Sequence, residues 1–310
     1  MIRPIVVVGS VNLDLVCTGK RIPAPGETLT GENFQTFFGG KGANQAVAVG
    51  RLGYPVGMVA RVGDDAFGSQ LRSGLRAAKV NTREVTTAPE TPSGVALISV
   101  DAKGQNSIMV IPGANGTLLP QHVEKASSML RSAGMILAQL EIPIETVEYL
   151  CEAAHRNGTP LMLDPAPARQ LPRKLLKRVT YLTPNETETA ALCGLQGTTL
   201  PAKAISEAAS DLRSKGVANV ILKLGARGAY IDAADGTRKL VPSFKVPVVD
   251  STAAGDAFNA GLAVALMRGK NLTDAARYAV AVGAVSVTRA GAQPAMPTAK
   301  EVETLLARRA

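Results

Sequence analysis

Short, continuously apolar runs alternate with longer stretches of helical periodicity along most of the chain. Buried parallel strands give uninterrupted apolar runs because helices cover both faces of their sheet. The alternation therefore predicts an α/β fold with a doubly wound, mostly parallel sheet. We place strands at 5–8, 55–64, 135–140, 160–163, 179–182 and 217–222, a β-like run at 244–249, one helix from Ala43, and further helices at 66–79, 121–130, 144–156, 202–214, 257–267, 273–289 and 298–308.

Two segments depart from this alternation and predict a small sheet outside the main one. Residues 17–38 contain Pro23, Pro25 and Gly26 and do not favour a helix. The β-prone runs at 95–100 and 107–111 flank a turn-rich segment, which is typical of a hairpin. No internal repeat or linker interrupts the chain, so we expect one α/β domain over 1–310, with inserted segments at about 13–38 and 92–112.

Polar or glycine-rich residues follow the predicted strands. Asn12 and Asp14 come after the first strand, Glu141 after the strand at 135–140, and Asn185 after the strand at 179–182. In open α/β sheets, ligands gather at the carboxyl ends of the strands. These residues therefore indicate one binding edge built from many segments, although position alone leaves an ordinary turn equally open for Asn12 and Asp14.

The sequence GGKGAN at residues 39–44 is a candidate binding loop. Its glycines allow a ligand to approach the backbone closely, and Lys41 and Asn44 lie at the start of a helix rich in small residues. The alternative is a plain loop and helix start. We favour a site, because glycine is dense beside two polar side chains.

The stretch from Asp250 to Gly261 carries the main candidate chemistry. Ala253, Ala254 and Gly255 leave the first N–H groups of a helix open to an anion such as phosphate. Asp256 adds a carboxylate to the same turn, which suits a base that accepts a proton from a hydroxyl attacking phosphorus. The alternative is an acid that only complements the helix dipole.

Composition removes several classes of function. With 4% aromatic residues, no Trp and no long basic run, the net charge of +9 favours anionic small ligands over nucleic acid. Cys17, Cys151 and Cys193 have neither metal nor disulfide spacing. His122 and His155 are the only histidines, which makes a Ser–His–Asp triad or a His-rich metal site improbable. We find no signal peptide or membrane span and expect a cytoplasmic protein.

Taken together, these motifs resemble those of the ribokinase-like (phosphofructokinase-B) family of sugar and nucleoside kinases. The resemblance runs from Gly9 to about Pro297. It is carried by GGKGAN at 39–44 and DSTAAGD at 250–256, with QLE at 139–141, DPAPA at 164–168 and TPNETE at 183–188 between them. It implies ATP-dependent phosphorylation of D-ribose at the 5-hydroxyl.

The resemblance also assigns roles to individual positions. Asp256 would be the base, and the N–H groups of Ala253, Ala254, Gly255 and Asp256 would form the anion hole for the transferring phosphoryl group. Sugar hydroxyls would contact Asn12, Asp14, Gly40, Lys41, Asn44, Glu141 and Asp256. The nucleotide side would comprise Asn185, Glu188, Lys223, Leu224, Gly225, Ala226, Arg227, Gly228, Gly255 and Val280. Glu188 would organise the Mg²⁺ that accompanies ATP.

A monovalent cation and a dimer are implied in the same way. K⁺ would lie near Asp250, Thr252, Ser286, Arg289, Gly291 and Ala295, mostly on backbone carbonyls. The two inserted segments would form a lid that also makes a homodimer interface. Ala295 replaces a common Ser, Ser251 a common Thr and Lys223 a common Thr, whereas the base and anion hole are intact.

Three other hypotheses stay open at this point. A kinase of the same family could act on 2-deoxyribose, a ketose, a keto-sugar acid or a nucleoside. A non-catalytic binding protein on the same fold would not need Asp256. Nucleic-acid binding driven by the net charge would give steeply salt-dependent affinity, which we expect to be weak.

Overall fold

The structure is a computed structural model that describes residues 2–197 and 199–308, so both ends of the predicted domain range 1–310 lie outside it. The strands of this described part are β1 (Ile5–Val8), β2 (Asn12–Thr18), β3 (Asn33–Gly39), β4 (Val56–Gly63), β5 (Asn81–Ala88), β6 (Gly94–Val100), β7 (Asn106–Ile111), β8 (Met135–Ala138), β9 (Leu161–Leu163), β10 (Tyr181–Leu182), β11 (Asn219–Lys223), β12 (Ala229–Ala233) and β13 (Arg238–Val241).

The helices flank this framework. They are α1 (Lys41–Arg51), α2 (Ala66–Ala77), α3 (Pro120–Lys125), α4 (Ser127–Ser132), α5 (Ile144–Arg156), α6 (Arg173–Leu176), α7 (Glu186–Cys193), α8 (Ala202–Ser214), α9 (Ala254–Met267), α10 (Leu272–Ser286) and α11 (Ala299–Ala307), with 3₁₀ turns at Gly113–Thr117 and Gly225–Arg227. None of these helices, within the residues described, is both long and apolar enough to cross a membrane.

Within the described residues, a large nine-stranded sheet has the order β13-β12-β11-β10-β9-β8-β1-β4-β5. Strands β11 to β5 in this order are parallel, and β12 and β13 extend the edge in antiparallel pairing. The chain leaves β1 towards β4 on one side and returns to β8 on the other. This reversal opens a crevice at the carboxyl ends of β1 and β8, where ligands bind in doubly wound sheets.

The aliphatic composition fills both faces of the large sheet. In β1, Ile5 and Val7 join a core shared with α1, α9 and α10, whereas Val6 and Val8 join the opposite core with α5 and α8. Successive strand side chains point to opposite faces, so a continuous apolar run supplies both layers. The predicted α/β class and mostly parallel sheet are confirmed.

The segments predicted to lie outside the main sheet form a small four-stranded sheet in the order β3-β2-β6-β7. Strand β2 runs parallel to β6 and antiparallel to β3, and β6 forms the predicted hairpin with β7. Asn12 and Asp14 therefore lie on a strand. The interpretation of these two residues as a turn is wrong, because β2 begins directly after β1.

Other local predictions need correction. The β-like run at 244–249 forms no strand. Pro247 removes a backbone donor from this run, and the N–H groups of Val249 and Asp250 bond to the carbonyl of Val287. The helix predicted at 121–130 divides at Ala126 into α3 and α4. Strands β5, β12 and β13 had not been predicted.

Candidate active site

A cavity of about 460 Å³ lies between the carboxyl-terminal edge of the large sheet and the small sheet. It brings together segments from along the chain. Its lining residues are Asn12, Asp14, Gly40, Lys41, Asn44, Ala96, Ile98, Ile108, Val110, Glu141, Asp164, Ala166, Asn185, Glu188, Lys223, Gly225, Thr252, Ala253, Gly255 and Asp256. All residues predicted for the sugar are in this set.

Strand β2 presents two polar side chains to one end of the cavity, which we call the sugar end. Asn12 is buried, and its Oδ1 accepts a hydrogen bond of 2.7 Å from Nδ2 of Asn115, a residue that sequence reasoning missed. This bond leaves Nδ2 of Asn12 available as a donor. Burial and the nearby Glu141 raise the pKa of Asp14 to about 7.

The start of α1 lies against the same end because Gly40 allows a close approach. Gly40 has φ of 85°, and a Cβ at this position would lie 2.7 Å from the backbone nitrogen of Asn12. The N–H of Lys41 then donates to Oε2 of Glu141 at 3.0 Å, and Oγ of Ser10 donates to the same oxygen. Glu141 therefore also holds the helix start, a favourable position for an acid.

The ammonium group of Lys41 lies in an acidic environment. Burial alone would lower the pKa of Lys41, but the charge of Asp256 and those of Asp164, Glu141 and Glu188 raise it overall. Lys41 is thus held protonated at the centre of the cavity, where it can attract an anion.

Asp256 lies in the first turn of α9 and is buried with hydrogen bonds to α1. Its Oδ2 accepts from Nδ2 of Asn44 at 3.1 Å, and its Oδ1 accepts from Nε2 of Gln45 at 3.1 Å. Oδ1 of Asn44 is itself buried and has no partner in the described chain. An unpaired acceptor in a pocket wall suits a ligand hydroxyl.

The turn before α9 is strained in a way that suits an anion site. Ala253 has φ of 57°, a left-handed conformation that costs a non-glycine residue ~1–2 kcal/mol. The N–H groups of Gly255 and Asp256 have no hydrogen-bond acceptor among the described residues, whereas the N–H of Ala254 bonds to the carbonyl of Ser251 at 3.2 Å. Ala254 also lies outside the cavity wall, which leaves it the weakest member of the predicted anion hole.

Several effects act on the carboxyl group of Asp256. Burial raises its pKa, Lys41 lowers it, Asp164 raises it, and the amide donors of Gln45 and Asn44 lower it. The net direction is upward. A carboxylate with a raised pKa is a better proton acceptor than an ordinary aspartate, as a general base requires.

Lys223 lies inside the cavity rather than at its rim. Its Nζ donates to Oδ1 of Asp164 at 2.8 Å, and both side chains are largely buried. Nζ would also lie 3.3 Å from a Cβ placed on Gly255. The ammonium group therefore lies beside the open N–H groups of α9, where the charge of a phosphoryl group would be stabilised.

The other end of the cavity, which we call the nucleotide end, is formed by Asn185, Glu188 and Gly225 beside Lys223. Asn185 caps α7 by accepting from the N–H of Glu188, and Glu188 Oε2 accepts from the N–H of Asn185 at 2.7 Å. Five residues predicted for this end are not in the cavity wall: Leu224, Gly228 and Val280 are buried, and Ala226 and Arg227 are exposed.

The residues predicted around a monovalent cation are only partly brought together. Asp250 Oδ1 accepts from the N–H and hydroxyl of Thr252, and its Oδ2 accepts from the N–H of Gly291 at 2.8 Å. Asp250 thereby joins the loop before α9 to the loop after α10. Ser286 Oγ donates to the carbonyl of Gly283. Arg289 pairs with Glu301, and the buried Ala295 offers no side-chain oxygen.

The balance of charge in the cavity matters for phosphate binding. Among the described lining residues, five carboxylates face two ammonium groups. No cluster of three or more metal-ligating side chains is present in residues 2–197 and 199–308. Mg²⁺ does not need one, because it keeps several waters and binds phosphates with one or two carboxylates. Glu188 lines the nucleotide end of the cavity with a carboxylate.

Besides Asn115, sequence reasoning missed two features of the site. Gln45, behind the cavity, bonds to Asp164 in the cavity wall and to Asp256, although Gln45 and Asp164 both lie inside or next to motifs that had been noted. The apolar residues Ala96, Ile98, Ile108 and Val110 of the small sheet cover the sugar end. These residues occupy alternate positions along β6 and β7, which was visible in the sequence. A strand pattern does not reveal which face of the sheet lines a cavity.

Comparison with known proteins gives a consistent result. The pattern of the pfkB family carbohydrate kinases matches residues 3–299. The chain is 44% identical to the ribokinase of Bacillus subtilis over 305 residues, covering 98% of this chain and 99% of that protein. It is 37% identical to the deoxyribokinase of Salmonella typhi, covering 97% and 98%.

A solved structure extends this likeness to the fold. The structure of Arabidopsis thaliana ribokinase complexed with ribose and ATP superposes with a TM-score of 0.93 at 35% identity, covering 99% of each chain. The chain therefore belongs to the pfkB family of carbohydrate kinases.

Proposed function

We propose that the protein transfers the γ-phosphoryl group of ATP to the 5-hydroxyl of D-ribose, giving ribose 5-phosphate and ADP. One observation carries this proposal. A buried carboxylate with a raised pKa, Asp256, lies in the same turn as the unpaired N–H groups of Gly255 and Asp256, in one cavity with Asn12, Asp14 and Asn44. A base, an anion site and sugar ligands are thus combined.

The residues of the chain account for each part of the transfer. Asp256 accepts the proton of the attacking hydroxyl while the new oxygen–phosphorus bond forms and the bond to the ADP oxygen breaks. The N–H groups of Gly255 and Asp256, with the ammonium of Lys223, stabilise charge on the transferring group. The polar side chains of β2 and α1 orient the sugar.

Mg²⁺ fits this site as a companion of ATP. It would neutralise phosphate charge that the acidic cavity would otherwise repel. Glu188, through water, and the phosphates themselves would hold it. The prediction that follows from the charge balance is that ATP without a divalent cation binds poorly.

K⁺ activation is the finer part of the proposal. Asp250 bonds to both Thr252 and Gly291, and a carboxylate with nearby carbonyl groups is an oxygen-rich donor set suited to a hard cation. A cation there would stiffen the turn that carries the anion site. Because Ala295 contributes no side-chain oxygen, we expect activation by K⁺ to be moderate.

The small sheet is proposed to act as a lid within a single kinase domain and as a dimer interface. Leu97 and Met109, which face each other across β6 and β7, are 43% and 65% exposed, and Phe34 of β3 is 59% exposed. Exposed apolar residues on a sheet mark interaction surfaces. A homodimer would cover them. Light scattering of the native protein and of Met109→Lys tests this, since a monomeric native protein would overturn the dimer.

The experiment that tests the function is a panel assay of ADP release with Mg²⁺-ATP. The acceptors are ribose, 2-deoxyribose, fructose, 2-keto-3-deoxygluconate and adenosine, each with and without K⁺. Phosphorus-coupled NMR of the product identifies the phosphorylated oxygen. We expect the highest kcat/KM on ribose and a phosphate on O5.

Other results have distinct meanings. A preference for 2-deoxyribose, the acceptor named for one relative, would keep the chemistry and reassign the pocket. ADP release with no acceptor dependence would contradict a sugar kinase. Absence of turnover on the whole panel would favour a binding protein on the same fold.

A further inference from the structure

A buried amide behind the cavity contacts two of the five carboxylates that line it. Gln45, on α1, is 1% exposed. Its Nε2 lies 3.1 Å from Oδ1 of Asp256 and 3.1 Å from Oδ2 of Asp164. A primary amide has two N–H donors, so each carboxylate can receive one. Gln45 does not line the cavity, and contact with a substrate is not its role.

The orientation of this amide is determined by a second buried amide. Oε1 of Gln45 accepts a hydrogen bond of 2.7 Å from Nε2 of Gln139, which follows β8 and is fully buried. If the Gln45 amide were reversed, its oxygen would face two carboxylates and its NH₂ would face the NH₂ of Gln139. All three contacts would become repulsive or unpaired.

Space for Gln139 comes from the missing side chain of Gly9, the residue after β1. A Cβ added at Gly9 would collide with Oε1 of Gln139. Gly9 thus allows Gln139 to lie between β1 and α1, Gln139 orients Gln45, and Gln45 contacts the two carboxylates. The contacts continue on the nucleotide side, because the other oxygen of Asp164 accepts from Lys223.

We propose, on the basis of the function above, that Gln45 is a positioning residue that holds the carboxylate of Asp256 in one orientation and separates it from that of Asp164. Asn44 bonds to the other oxygen of Asp256, so the two amides define the plane of the carboxylate. A base whose plane is fixed transfers a proton without first reorganising.

The test uses Gln45→Met, which keeps the length of the side chain and removes all three polar contacts. We expect kcat to fall about 10–100-fold, the scale of a misplaced catalytic group, while KM for ribose changes less than about threefold. Gln70→Met, at an exposed position of α2, is the matched control. Native-like circular dichroism and melting are required of each variant.

The pH profile separates positioning from simple destabilisation. The groups acting on Asp256 are Lys41, Asp164 and, through Asp164, Lys223, with Glu141 and Glu188 acting on Lys41. Loss of an N–H donor raises the pKa of a carboxyl group, so the acidic limb of kcat should move to higher pH in Gln45→Met. A purely structural role predicts an unmoved limb.

A double-mutant cycle tests whether Gln45 acts through Asp256. In an Asp256→Asn background, Gln45→Met should have almost no further effect on kcat, because the group that it positions is already disabled. Equal effects in both backgrounds would overturn the proposal. Gln139→Met provides a second variant if Gln45→Met does not fold, with a smaller fall in kcat expected and an unchanged kcat overturning the proposal.

The native enzyme distinguishes this inference from the proposed function. If native protein phosphorylates ribose and Gln45→Met keeps its kcat and pH profile, only the positioning role fails. If native protein phosphorylates no acceptor of the panel, the proposed kinase function is contradicted. The positioning role then has no basis, because it assumes that Asp256 acts as a base.

Discussion

The two ends of the cavity are built differently. At the sugar end, Asn12, Asn44 and Asp256 are each at least 94% buried and joined to other side chains by hydrogen bonds. At the nucleotide end, Gly225 is exposed, and the neighbouring Ala226 and Arg227 are exposed and do not line the cavity. Specificity for a small polyol needs fixed donors and acceptors, whereas phosphates can be held by backbone and point charges.

This difference predicts how each end responds to substitution. Removing a side chain from the sugar end leaves buried partners unpaired, so changes there should be severe and specific. The outer part of the nucleotide end should tolerate changes, because its side chains are solvated. Lys223 is the exception, since it is buried at the boundary between the two ends.

The largest effect is expected for Asp256→Asn. Asparagine keeps the shape of the side chain but accepts no proton, so kcat should fall about 10²–10⁴-fold, the scale of a lost general base. Ribose affinity, measured by calorimetry without ATP, should change little. A kcat within about threefold of the native value would remove Asp256 from the mechanism.

Lys223→Met should affect both stability and activity. It leaves the carboxylate of Asp164 buried without its counter-ion, which destabilises proteins by ~3–5 kcal/mol. Urea unfolding measures this loss, and adding Asp164→Asn should recover much of it because the uncompensated charge is then gone. ATP KM should also rise about tenfold, the usual scale of a lost charged contact. Unchanged unfolding of Lys223→Met would show that the pair contributes nothing.

Asp14→Asn tests the sugar end through pH. The pKa of Asp14 in the folded protein is about 7, whereas its ordinary value is 3.8. The ionised form is the stronger acceptor, so ribose KM of the native enzyme should fall as pH rises from 6 to 8. The variant should show a KM about tenfold higher at pH 8 and little pH dependence. An identical KM profile would place Asp14 outside the sugar site.

The same carboxyl group gives a stability prediction of definite sign. Between pH 4 and 7 the unfolded chain has lost the proton of Asp14, but the folded chain still binds it. The native protein should therefore lose stability relative to Asp14→Asn as pH rises through this window. Denaturant unfolding of both proteins at pH 5 and pH 8 checks the direction, and a gain for the native protein would contradict the raised pKa.

The sequence was sufficient to predict the strands of the large sheet whose side chains are buried on both faces, and to predict the motifs that follow those strands. Ile5–Val8 is uninterrupted and was placed correctly, whereas the short strand β12 and the half-polar edge strand β13 gave no such signal. At the site, GGKGAN and AAGD identified the cavity wall. Gln45, Gln139 and Asn115 were missed because a buried polar contact joins residues distant in sequence, and spacing along one chain does not encode it.

Arg227→Ala should have the smallest effect and most directly tests the contrast between the two ends. Arg227 pairs with Glu186 at 2.6 Å, but its side chain is 39% exposed and lies outside the cavity wall. Exposed ion pairs contribute ~0–1 kcal/mol to stability, so unfolding should shift slightly and ATP KM should rise by no more than about threefold. Lys223→Met, measured in parallel, is the buried comparison. If Arg227→Ala raises ATP KM as much as Lys223→Met does, the nucleotide contacts extend along the 225–228 loop. That result would contradict the prediction that the outer part of the nucleotide end tolerates substitutions.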